Sequence, residues 1–182
     1  MQPNVFFPYG ISNFEQLAKQ GYEFVDKTPY IEKLETQKEK FISFLRPRRF
    51  GKSLFVSVLE YYYDILYKER FQELFGKYYI GKNPTPLMGS YRILSFNFSG
   101  IDTTSEEKSY EGFYKSIKIS LQSFLFRYNI LDENNRQIIL EERSPEVMLK
   151  FLFQIYKNLE IPEPIYLLID EYDHFTNEIL IR

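Results

Sequence analysis

The sequence predicts an α/β fold built on a parallel sheet, and three observations carry that expectation. Apolar runs at 41–45, 91–98 and 165–169 read as strands, rich in aromatic and β-branched residues. The intervals between them are filled by helical spacing, which supplies the crossovers that parallel neighbours need. Gly51-Lys52-Ser53 comes shortly after the first run, and Asp170-Glu171 directly follows the last. Ligands in open α/β sheets bind at the carboxyl ends of strands, where both groups would then lie.

Residues 1–10 read as an irregular arm. Ser12 is expected to cap a first helix, with Glu15 completing a capping box and Gly21 closing it. Phe14, Leu17 and Ala18 form its apolar face. A short, extended stretch at 22–25 follows, and Thr28-Pro29 fits an N-cap with proline at the first helical position. Ile31 and Leu34 would face inward on this second helix, which is expected to run to near Lys40. Residues 1–40 thus form a helical lead. Phe7 and Tyr9 are rings able to stack on a base, although ordinary packing is the commoner role of such rings.

Beyond Ser53, the spacing of Leu54, Phe55, Val58, Leu59, Tyr62 and Ile65 predicts a helix of about four turns. Phe71, Leu74 and Phe75 extend the helical region to Gly76. Residues 81–89, with Pro84 and Pro86, read as a loop. The strand over 91–98 ends at Ser99-Gly100-Ile101-Asp102. A long helix is predicted over 105–128, with Tyr110, Phe113, Ile117, Leu121, Phe124 and Leu125 on one side. Residues 132–143 are polar and read as containing a loop. Ser144-Pro145 repeats the cap signal before a helix carrying Val147, Leu149, Phe151, Leu152 and Ile155. Pro162 and Pro164 separate that helix from the last strand.

A chain of 182 residues, 44% of them hydrophobic, has material for a real core and suggests one domain. Its net charge of −2 advertises no general affinity for nucleic acid, so that role would need a local basic patch. There is no cysteine, which excludes disulfides and thiolate metal sites. With one histidine, a histidine-cluster metal site is excluded as well. The first residues lack the pattern of a signal peptide, and no run approaches the ~20 apolar residues that span a bilayer. The sequence therefore reads as that of a cytoplasmic protein with no membrane partner.

The chemistry of the 47–54 segment follows from its order: strand, basic turn, Gly-Lys-Ser, helix. That is the context of a phosphate-binding P-loop. Successive backbone N–H groups of Pro47-Arg48-Arg49-Phe50-Gly51 and the start of the next helix, through Leu54, would cradle phosphates. Gly51 permits close approach and unusual dihedrals. Lys52 would reach the β- and γ-phosphates of a nucleotide, and the Ser53 hydroxyl would ligate Mg²⁺. Arg46 stands where the usual pattern has glycine. Asp170-Glu171 after a buried strand suits a Walker B element, with Asp170 holding Mg²⁺ and Glu171 polarising the attacking water. Asp170, Glu171 and Asp173 would otherwise be a solvated acidic turn or a two-metal nuclease site. His174 reads as a loop histidine with a γ-phosphate-sensing role as the alternative. Arg46, Arg48 and Arg49 form a local anion site, serving a bound nucleotide, a nucleic-acid backbone or a neighbour's nucleotide, or pairing with acids such as Glu23 or Asp26. A small-molecule kinase is the weaker reading, since nothing resembles a kinase lid.

The segments RPRRFGKSL, FVDKTPYIEKLE and LLIDEYD together resemble the bacterial AAA-ATPase-like family, over nearly the whole chain from Tyr9 to Asp173. In that family an Arg-Pro-Arg-Arg run replaces the first P-loop glycine, which accounts for Arg46. The resemblance implies a P-loop NTPase fold: three α/β/α layers on a parallel sheet, RecA/AAA-like. It implies ATP rather than GTP, Mg²⁺ as cofactor, and hydrolysis with Lys52 and Glu171 as the catalytic pair, coupled to an attached or partner module. The alternative is a module that holds nucleotide as a switch or as a structural ligand, with little turnover. Family members commonly continue into a PD-(D/E)XK nuclease-like domain. In folds of this kind a further strand follows Walker B and lies between the two motif strands. With only 175–182 left, residues 1–182 are expected to be a single ATPase domain, incomplete after the Walker B strand. The 41–45 and 165–169 strands would then be unpaired along their facing edges.

Overall fold

A computed structural model describes residues 10–37, 39–45, 47 and 49–172. The chain falls into two compact units, Met1–Tyr91 and Arg92–Arg182.

The first unit is helical. It comprises α1 (Phe14–Gln20), α2 (Pro29–Thr36), α3 (Lys52–Tyr63), a 3₁₀ helix (Ile65–Arg70), α4 (Phe71–Phe75) and α5 (Tyr79–Lys82). Its centre is aromatic. Phe14 and Phe75 stack with ring centres 4.7 Å apart, and Tyr62 meets Phe75 edge-on at 5.7 Å. Phe14, Phe75, Tyr62 and Tyr63 are almost wholly shielded from solvent. Rings of this size supply much of the area that a small unit must bury.

Polar contacts fix how α1 meets α3. The Phe14 N–H donates to Ser57 Oγ at 2.9 Å, and Asn13 Nδ2 donates to the Tyr61 hydroxyl at 3.1 Å. Asn13 also caps α1, accepting from the Gln16 N–H at 2.9 Å. This corrects the expected cap at Ser12. With Asn13 as the cap, the N3 position of a capping box falls on Gln16, and the Glu15 carboxylate instead meets Lys19 at 2.9 Å and Arg70 at 2.6 Å. Gly21 ends α1 in the left-handed region at φ 70°, as its position implied.

Pro29 does open α2, but the helix ends at Thr36 rather than near Lys40. Thr28 is the N-cap residue, as expected, but it is buried and its side chain makes no cap bond to α2. Its hydroxyl donates to Asp26 Oδ1 at 2.6 Å and accepts from the Ile80 N–H at 3.1 Å. Asp26 also accepts from the N–H of Thr28 at 2.9 Å and, through Oδ2, from that of Tyr79 at 2.8 Å. The Asp26 and Thr28 side chains thus satisfy the opening N–H groups of α5, orphans of any helix start. Part of the 81–89 stretch is consequently helical, where a loop was expected.

Residues 41–45 correct a larger expectation. They form no strand, and Phe41 is 92% exposed. Phe44 is the one that turns inward, stacking on Phe55 of α3 at 5.3 Å. An apolar run matches what a buried strand needs on its two faces, but it cannot supply the ladder that makes it a strand.

The second unit carries the sheet seen among the described residues. β1 (Arg92–Asn97) and β2 (Ile165–Asp170) pair in parallel, from Arg92 opposite Ile165 to Asn97 opposite Asp170. The parallel arrangement is as predicted. The crossover is made by α6 (Glu106–Arg127), α7 (Glu133–Glu141) and α8 (Pro145–Asn158). Ser105 and Ser144 cap α6 and α8, accepting from the N–H groups of Lys108 and Val147. The Tyr128 hydroxyl accepts from the Ile93 N–H at 2.7 Å, pinning the end of α6 to the start of β1.

Helix α7 lies where a loop was expected. Asp132 caps it by accepting from the Asn135 N–H at 2.9 Å. Arg136 is buried, and it donates to two neutral acceptors, the Ile130 carbonyl at 3.0 Å and Asn129 Oδ1 at 2.7 Å. A buried guanidinium is tolerated when its donors are used in this way.

Candidate functional site

The Gly-Lys-Ser segment lies at the start of α3. Gly51 is the N-cap of α3, at φ 77° and ψ 30°, and Lys52 is the first helical residue. No side chain caps this helix start, and no acidic residue occupies its first turn. Lys52, Ser53 and Leu54 are half-buried there, whereas Pro47, Arg49 and Phe50 are exposed. Arg49 is also left-handed, at φ 67°, so two such residues bracket Phe50. A non-glycine residue in that region costs roughly 1–2 kcal/mol, and such outliers cluster at ligand sites. Arg46 and Arg48 lie outside the described residues, as do Phe7, Tyr9, Asp173 and His174.

Lys27 joins this segment, and sequence reasoning did not single it out. Its Nζ donates to the Phe50 carbonyl at 2.8 Å. A Cβ added to Gly51 would come within 3.4 Å of the same Nζ. The available signal was its place between Asp26 and Thr28 in the motif FVDKT.

Asp170 and Glu171 belong to the second unit. Asp170 is the last residue of β2 and is 9% exposed. Its carbonyl accepts from the Phe98 N–H at 3.2 Å, and its Oδ1 from the Glu171 N–H at 3.0 Å. Glu171 takes φ 57°, a further left-handed non-glycine residue directly beside a predicted site residue. Asn97, opposite Asp170 in register, accepts from the Ser99 N–H through its side chain at 2.8 Å. It places a second polar side chain at the carboxyl end of the sheet, which the strand pattern alone did not mark.

Past β1 a cavity of about 330 Å³ opens between the 99–102 turn and α6. Its charges pair off, Lys108 with Asp102 at 2.9 Å and Lys115 with Glu111 at 2.6 Å. The Thr104 hydroxyl and Lys108 hold the Asp102 carboxyl well below the usual range. Among the described residues, no group of three or more His, Cys, Asp or Glu side chains is placed to hold a metal ion, and no helix is long and apolar enough to cross a membrane.

Parallel strands joined by helices, with acids at a strand's carboxyl end, define the class as mixed α/β. The family described as a predicted AAA-ATPase, AAA-ATPase-like, matches residues 8–182, and the chain belongs to it. Neither a curated protein nor a solved structure matches.

Proposed function

We propose that the chain is a P-loop ATPase domain of the three-layer, RecA/AAA-like kind, which binds ATP with Mg²⁺ and hydrolyses it to drive an attached or partner module. One observation carries this reading. A left-handed Gly51 leads straight into α3, whose first turn offers Lys52 and Ser53 with no side-chain cap and no acid. A helix start of that composition is suited to an anion, through its N–H groups and dipole.

The 47–54 segment would hold the phosphates, with Lys52 on the β- and γ-groups. Ser53 and Asp170 would hold Mg²⁺, which typically takes one or two protein oxygens together with phosphates. The ion supplies charge neutralisation at the transferring phosphoryl group. Asp170, shielded at the end of β2, suits such a ligand, since a buried carboxylate requires compensation. Glu171, next to it, would orient and polarise the attacking water.

Titration of a fluorescent ATP analogue with Mg²⁺ into wild type and Lys52→Ala tests the binding. Loss of a hydrogen bond to a charged group, roughly 1.5–3 kcal/mol, lowers affinity about 10-fold to 150-fold. Equal affinities would refute the P-loop assignment. Glu171→Gln should bind as wild type does and release no phosphate; retained turnover would remove Glu171 from its role.

A further inference from the structure

Lys27 reaches the phosphate loop from a segment whose neighbours are already anchored. Asp26 and Thr28 are tied to the start of α5 by bonds to the Tyr79 and Ile80 N–H groups. Between them, Lys27 projects to the Phe50 carbonyl at 2.8 Å. That carbonyl precedes the α3 ladder, whose first bond runs from the Phe55 N–H to the Gly51 carbonyl at 2.9 Å. The helix therefore does not itself fix the Phe50–Gly51 peptide, whose plane turns on the Phe50 ψ and the left-handed φ of Gly51, one residue after the left-handed Arg49.

A trans peptide is planar, with its C=O and N–H pointing in opposite directions. Holding the Phe50 oxygen toward Lys27 thus turns the Gly51 N–H away from it. We propose that Lys27 is a positioning residue of the phosphate loop: its ammonium sets the Phe50–Gly51 peptide so that the Gly51 amide faces the phosphates. This rests on the nucleotide-binding reading above. Asp26 and Thr28 hold the lysine's backbone in place, so Asp-Lys-Thr works as one device, with two residues gripping α5 and the middle one setting the loop.

The test uses the full chain, with Lys27→Met, Lys27→Arg and Lys27→Gln. Amide ¹⁵N–¹H spectra without nucleotide report the Gly51 peptide directly. Titration with a fluorescent ATP analogue and Mg²⁺ reports its consequence, and thermal unfolding reports the fold. Lys27→Met is expected to displace the Gly51 amide signal and to weaken nucleotide binding about tenfold, the scale of one charge-assisted hydrogen bond. Its unfolding midpoint should stay near that of wild type, and Lys27→Arg, which keeps a charged donor, should restore both signal and affinity. Lys27→Gln, too short to reach the carbonyl, should behave as Met does and serves in its place if the Met variant precipitates. An unmoved Gly51 signal overturns the proposal, even if affinity falls, because the lysine would then touch the nucleotide rather than set the loop. Unchanged affinity in Lys27→Met, alongside a clear loss in Lys52→Ala, overturns it and leaves the P-loop standing. Wild type binding no better than Lys52→Ala overturns both.

Discussion

Replacing Glu15 by Gln removes the charge at a junction that ties α1 to the rest of the first unit. The carboxylate receives Lys19 Nζ at 2.9 Å, Arg70 Nη2 at 2.6 Å and the Tyr61 hydroxyl at 3.2 Å. Lys19 first, then Arg70, outweigh the effect of burial and hold the carboxyl at about 2, against an ordinary 4.5. At about 1.36 kcal/mol per pH unit that lowering sets a ceiling of about 3.4 kcal/mol. The Lys19 side chain is 53% exposed, so solvent screening brings the expected contribution to about 2 kcal/mol. Because the folded carboxyl lies below its unfolded value, the contribution is complete above pH 4.5 and drains away as pH falls toward 2. Urea denaturation followed by tyrosine fluorescence, which is unmasked in a chain without tryptophan, gives the measurement. Glu15→Gln should be about 2 kcal/mol less stable than wild type at neutral pH, with the gap narrowing steadily below pH 4.5. A gap of equal size at neutral and strongly acidic pH, or none at neutral pH, would refute the reasoning.

Two further perturbations probe the device that carries Lys27. Asp26→Ala removes the acceptor of three bonds, from the Thr28 N–H, the Thr28 hydroxyl and the Tyr79 N–H. It should cost about 2 kcal/mol in denaturant titration, and a midpoint equal to wild type would count against the anchoring role. Gly81→Ala would drive a Cβ into the Phe75 carbonyl and the Gly76 Cα, backbone atoms that cannot swing aside. A loss of about 2 kcal/mol or more is expected, and calorimetry showing an unchanged midpoint would contradict that packing.

What the sequence revealed, and what it hid, divides by the range of the forces involved. Caps are local: Ser144-Pro145 opened α8 and Gly21 closed α1 where their chemistry said they would. Asn13 rather than Ser12 caps α1, and Glu15 meets Arg70, a partner 55 residues away that no local pattern encodes. Helix α7 was hidden by its polarity: Arg136 reads as a surface residue until Ile130 and Asn129 supply acceptors that make its burial tolerable. The run at 165–169 became a strand and the run at 41–45 did not, although their compositions are alike. A strand is a relation between two segments, and only the ladder opposite Arg92–Asn97 distinguishes them. Within the site, Gly51, Lys52 and Ser53 were legible as a motif, whereas Lys27 emerged from a contact spanning 23 residues.

The bonds that close the first unit also bear on the order in which it forms. Those at Asn13, Phe14, Arg70, Tyr79, Ile80 and Thr85 each join residues between 43 and 55 apart in the chain. Helices as short as α1 and α2, of 7 and 8 residues, do not persist alone in water. On a ribosome adding ~5–20 residues per second, they wait several seconds for their partners to emerge. Helices α4 and α5, of 5 and 4 residues, are shorter still, and α5 opens on bonds to Asp26 and Thr28, so the lead and the α3–α5 segment settle together once both have been made.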